Sequence, residues 1–163
     1  MTTILSFDPG GTTGYVYFNL NHPLIFSGRE KDSTDHHLFL WIFLTEMEPD
    51  IIVCEDFEYR NVTLKDGTQV AGVELVSRDY IGIIKLYCQM HEEVDLILQK
   101  PAVAVGKKPF WHNDKLKKMG LHKKGAPHQN DAMRHLLYYL TTTLKLIEYY
   151  EYLKDDYGTL TLR

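Results

Sequence analysis

The chain has 163 residues, 44% hydrophobic and 25% charged, which is the size and composition of one globular domain and excludes a disordered or fibrous class. A net charge of -4 gives no general attraction to nucleic acid, and the only two cysteines, Cys54 and Cys88, sit in apolar runs, against a disulfide framework or a cysteine-based zinc site. No apolar run approaches the roughly 18 residues of a membrane span, and no secretory leader pattern is present, so a soluble intracellular protein is expected.

In chain order, residues 3–7 (TILSF) read as a short buried strand, closed by Asp8 and a turn at Gly10-Gly11. Residues 14–19 and 24–28 follow as two more strands around a turn at Asn21-His22-Pro23, giving an antiparallel meander. Ser33 or Thr34 is positioned to cap a helix over 35–47 that ends before Pro49. Residues 51–55 (IIVCE) are an apolar run ending in an acid, as in a strand buried on both faces. Residues 61–72 are polar with glycine and read as a loop. A long amphipathic helix covers 74–91, and a strand covers 94–98. Residues 99–127 are lysine-rich with a short helix around 109–119, and 129–147 is a helix before an acidic, aromatic tail over 148–163. No repeat or linker divides the chain, so residues 1–163 form one domain. Helices between the later strands imply parallel crossovers. The fold class is α/β: a mixed five-stranded sheet, three strands in a meander plus two parallel strands, flanked by helices.

Three acids fall at element ends. Asp8 closes the first strand and Glu55 the fourth, so parallel neighbours would present both at one sheet end. Asp131 lies in the first turn of the late helix, and His128, three residues earlier, shares its face. Clustered carboxylates repel unless a cation neutralises them, and an oxygen-rich set suits Mg²⁺ or Mn²⁺ rather than Zn²⁺. Two such ions about 3.5–4 Å apart make a device for in-line displacement at phosphate.

With "FDPGGTTGY" at 7–15, "IIVCE" at 51–55 and "HQNDA" at 128–132, the chain resembles the RuvC family of Holliday junction resolvases, within the RNase H-like nuclease superfamily. The resemblance spans most of the chain, and the chain's brevity and tail suggest a viral or phage-type member. It implies an RNase H-like fold and an endonuclease that resolves four-way DNA junctions by paired symmetric nicks. It implies Asp8, Glu55, His128 and Asp131 as catalytic and metal-holding residues for two Mg²⁺ ions, with Mn²⁺ as a substitute. It also implies a homodimer through helix 74–91, in the cytoplasm of a bacterium or a phage-infected cell. An aromatic just after the catalytic Glu works at the junction centre in that family, a role that would fall to Phe57 or Tyr59. Packing beneath the loop is the alternative. The polar loop after Glu55 and the acidic tail depart from the family.

Between residues 100 and 124 stand eight lysines and one acid, Asp114. Lys100, Lys107, Lys108, Lys115, Lys117 and Lys118 are the candidate contacts to a DNA backbone. Phe110, Trp111 and His112 lie among them, either to stack on unpaired bases or to pin the segment to the core. Three rival functions remain beside the resolvase: an RNase H-like nuclease acting on flaps or RNA–DNA hybrids, a binding-only domain, and an ATP-binding domain of the sugar-kinase type. The last would need a second phosphate loop that the sequence lacks.

Overall fold

A computed structural model describes residues 2–21, 25–31, 35–57, 62–63, 69–70, 76–101 and 111–146. Its frame is a five-stranded sheet built from β1 (Thr3–Asp8), β2 (Thr12–Asn19), β3 (Ile25–Lys31), β4 (Ile51–Glu55) and β7 (Asp95–Gln99), in the order β3-β2-β1-β4-β7. The first three pair antiparallel as a meander, while β1 with β4 and β4 with β7 are parallel. This is the mixed sheet expected from the sequence.

The pleat sorts side chains by parity. In β1, Leu5 and Phe7 enter one core and Ile4 the other, and Ser6 and Asp8 follow Ile4. In β4, Ile52 and Cys54 point one way, Ile51, Val53 and Glu55 the other. The Leu5–Phe7 face is covered by α1 (His36–Met47) and α2 (Val76–Met90), through Leu40, Leu44, Tyr80, Ile84 and Tyr87. The Ile4–Asp8 face is covered by α4 (Pro127–Thr142), with α3 (Asn113–Lys118) and Trp111 at its flank. Asp8 and Glu55 therefore both look towards α4.

Several boundaries differ from expectation by a residue or more, and four of them have a clear physical reason. The third strand runs on to Lys31, since its register with β2 continues from Ile25 to Lys31. Its polar stretch, SGREK, has no apolar alternation because it lies at the sheet edge. The last strand ends at Gln99, which brings that side chain into the sheet opposite Glu55. The late helix starts at Pro127, a residue that a first turn accepts, and ends at Thr142, before Lys145 turns left-handed at φ 53°. Within the segment read as a loop, β5 (Val62–Thr63) and β6 (Gln69–Val70) pair antiparallel.

Ser33 and Thr34 lie outside the described residues, and the first helix takes Asp35 as its N-cap with no side-chain cap bond. Tyr59, Lys107, Lys108, Phe110 and the tail from 147 also lie outside them. Among the described residues, no helix is long and apolar enough to cross a membrane.

Candidate active site

The register places the two acids together. Phe7 pairs with Cys54 across β1 and β4, so Asp8 and Glu55 follow on the next rung of adjacent parallel strands. Glu55 in turn pairs with Gln99 of β7. Three polar side chains thus close three neighbouring strands at one sheet end, as the sequence predicted for Asp8 and Glu55.

The helix across from them supplies the partners. His128 Nδ1 lies 2.7 Å from Asp8 Oδ2, and His135 Nε2 lies 2.9 Å from Glu55 Oε2. Residues seven apart are two helical turns apart and share a face. Between them Ala132 stays small, and its carbonyl accepts a 2.8 Å bond from buried Ser6 Oγ, which ties the helix to β1. Close approach is also built into β2. Gly14 is the register partner of Asp8, and a Cβ there would strike the backbone of His128 and Gln129. Gly10 is different: a Cβ there would meet only ordinary contacts beyond 3.6 Å. Thus Gly14 leaves room for the helix, and the structure supplies no steric demand for Gly10.

Burial pushes the Asp8 carboxyl up from the usual aspartate range, and the charge of Glu55 adds to this, while the His128 bond opposes it. The Asp8 carboxylate in turn raises His128, against the pull of partial burial. The two shifts agree in one respect: this pair holds a proton more readily than its free members would. Cys54, fully buried behind the two acids, is raised well above a normal thiol and stays protonated.

Asp131 is held differently. Its carboxylate pairs with Arg134 one turn on, and Arg134 also donates to the Trp111 carbonyl at 2.9 Å and to Asn113 Oδ1. Asp131 and Arg134 line a cavity of about 370 Å³ with Asn113, His122, Lys123 and Asn130. Glu55 is therefore close enough to act on both Asp8 and His128, whereas Asp131 faces Arg134. Among the described residues, no three His, Cys, Asp or Glu side chains are grouped so as to hold an ion as they stand.

The donor set nevertheless suits a hard cation. Two carboxylates meet at one sheet end, one of them pushed up by burial and by its neighbour, and positive charge would relieve both effects. His128 now occupies an oxygen of Asp8, so a cation would enter by displacing it, while buried His135 stays on one oxygen of Glu55.

Of the DNA-contact candidates, Lys100, Lys117 and Lys118 are exposed. Lys117 bonds Asp114 at 3.3 Å, and Lys115 lies over the Trp111 ring. Trp111 is 1% exposed within the core beneath α4, so it pins the segment and is not open to a base. Phe57 packs against the α1–α2 core. Two participants were missed in the sequence. His135 carried one signal, its seven-residue distance from His128, and Gln99 carried none.

No family model matches the chain, and neither does any curated protein. The likeness is to solved structures. The Fowlpox virus resolvase in complex with substrate Holliday junction DNA superposes with a TM-score of 0.60 at 13% identity, over 88% of this chain and 99% of that one. T. thermophilus RuvC in complex with a Holliday junction substrate gives 0.53 at 16% identity, over 83% and 90%. A second structure of the Fowlpox virus enzyme gives 0.51 at 16% identity, over 86% and 99%. The fold is thus the RNase H-like fold of the RuvC-type resolvases.

Proposed function

We propose that the chain is a divalent-metal-dependent endonuclease that resolves four-way DNA junctions. The observation that carries the reading is the juxtaposition of Asp8 and Glu55 on one rung of adjacent parallel strands, faced by His128, in a sheet shared with junction resolvases. Asp8, Glu55 and His128 would hold the cation, with Asp131 joining once it leaves Arg134. Mg²⁺ fits this oxygen-rich set and Mn²⁺ can replace it; when bound, it supplies activation of water and neutralisation of charge at the phosphate.

The chain's own groups do the rest. Asp8 and Glu55 fix the place of the scissile phosphate at the sheet end. His128, now bonded to Asp8, would give up that contact to the cation. Exposed lysines between 100 and 124 bind the DNA arms, with affinity that falls as salt rises. Hydrolysis leaves 5′-phosphate and 3′-hydroxyl ends. A four-way junction offers two equivalent strands, so a two-fold dimer suits it. Exposed Leu86 and Met90 on α2 support the dimer face placed on helix 74–91.

The test is cleavage of labelled four-way junction, flap, linear duplex and RNA–DNA hybrid with Mg²⁺. Paired symmetric nicks in the junction, absent in Asp8→Asn while folding and junction binding persist, support the reading. Cutting across flaps or hybrids keeps the metal site and removes junction selectivity. An Asp8→Asn protein that cuts at the wild-type rate overturns the site, and no cutting with either metal leaves a binding-only domain.

A further inference from the structure

We propose that Gln99 and His135 are a positioning pair: Gln99 fixes the His135 ring with Nδ1 as donor, and the fixed ring orients the Glu55 carboxylate. The proposal rests on the nuclease reading for its purpose, but not for its geometry.

The argument runs from atoms that have no choice. Gln99 sits at the end of β7, 7% exposed, beside Glu55 in the sheet register. One end of its amide lies 3.2 Å from the backbone carbonyl of His135. A carbonyl oxygen only accepts, so the amide end facing it is the NH₂, Nε2. That sets the other end: Oε1 faces His135 Nδ1 at 2.8 Å. An amide oxygen also only accepts, so Nδ1 carries a hydrogen. Both contacts run between the same two residues, so the ring and the amide lock each other.

The ring then has one nitrogen left, Nε2, aimed at Glu55 Oε2 at 2.9 Å. The contact is a hydrogen bond with one proton between these atoms. His135 itself is wholly buried, so the ring can neither swing away nor take water as a substitute partner. Glu55 is the reverse case. It ends its strand with a partly exposed carboxylate on a side chain of three rotatable bonds. A flexible carboxylate held by a ring whose other face is fixed is the arrangement by which outer groups orient the inner donors of a cation site. Asp8 needs no such support beyond His128, because it is short and almost fully buried.

The sequence follows the same logic. His128 and His135 lie two turns apart on α4 and face neighbouring strands, each meeting one acid. Among the described residues, only the second has a dedicated anchor behind it, and that anchor comes from a third strand.

Three variants test the pair: His135→Ala, His135→Gln, which returns an NH₂ donor towards Glu55, and Gln99→Met, which keeps volume and removes both contacts. The first readout is long-range ¹H–¹⁵N NMR of the metal-free wild-type protein. Nδ1 of His135 is expected to be protonated, and a bare Nδ1 overturns the proposal. The second is Mn²⁺ binding by calorimetry. It should weaken about 10–100-fold in His135→Ala and less in Gln99→Met, and return to within a few-fold of wild type in His135→Gln. Unchanged affinity in both His135→Ala and Gln99→Met overturns the proposal. So does a loss that His135→Gln fails to restore, because His135 would then be a ligand itself. Melting curves of each variant establish that it is folded. The third readout is junction cleavage, where kcat should fall with junction affinity unchanged. A protein that cuts nothing would sink the nuclease reading while leaving the first two readouts able to decide the pair.

Discussion

Replacing Gly14 with alanine tests whether the acids and the helix must be as close as they are. The added Cβ would sit 2.6 Å from Gln129 N, and closer still to the carbonyl group of His128, where ordinary contact begins at 3.4 Å. All the struck atoms are backbone, so no side chain can rotate away. The first turn of α4 must retreat by more than 0.8 Å, since that is the shortfall at Gln129 N and those at the His128 carbonyl are larger. The Asp8–His128 contact, now 2.7 Å, then stretches to about 3.5 Å, past the range of a hydrogen bond. Overpacking of this kind costs about 1–3 kcal/mol, which for a domain of this size lowers Tm by roughly 2–12 °C. The site should suffer more than the fold, because a 1 Å misplacement of reacting groups costs on the order of 100-fold in rate. The assay pairs thermal melting with single-turnover junction cleavage, and Gly10→Ala serves as the control with open space. If Gly14→Ala matches the control in both Tm and rate, the close approach does not position the site.

Further expectations follow from the same geometry. In the metal-free protein, folding raises the pKa of both His128 and Asp8, so both groups favour the protonated state of the folded form. For His128 that contribution is complete below its unfolded value of 6.5 and is lost as pH rises through the higher folded value. Tm measured in chelator should therefore fall from pH 6 to pH 8.5 in wild type and fall less in Asp8→Asn; an equal slope in both would refute the coupling. Asn130→Ala removes two 2.8 Å bonds, one from the Lys123 amide and one to its carbonyl. It should cost about 1–3 kcal/mol and speed hydrogen exchange at Lys123. Lys100→Ala should lower the salt slope of junction binding by about 0.9, as expected for one phosphate contact.

Much of the sheet was legible because burial wrote it into parity. A strand such as TILSFD, covered on both faces, has few alternatives, and IIVCE is equally constrained. Glu55 and Asp8 were legible because an acid terminating such a run has no structural reason to be there. The edge strand was read short, since Ser27 to Lys31 gain their order from pairing with β2 and not from apolar content. His135 was hidden for a different cause. In HQNDAMRHLLYYL it is one polar residue in a buried helix, and its partners, Glu55 and Gln99, are 80 and 36 residues away. No local pattern can announce a contact of that range. The pairing of Asp131 with Arg134 was within reach, as a three-residue spacing of opposite charges on a helix.

The division of the site between sheet and helix has a consequence for how the protein comes into being. Asp8 is synthesised 120 positions before its partner, His128. At roughly 5–20 residues per second, a ribosome takes many seconds to add the intervening chain. Until residue 135 has been made and α4 has docked, the two acids have neither of their histidines, and the fold has no cover for that face of the sheet. A truncated product that ends before α4 carries the acids without the bases. The site is therefore incomplete until α4 has docked, the last element among the described residues.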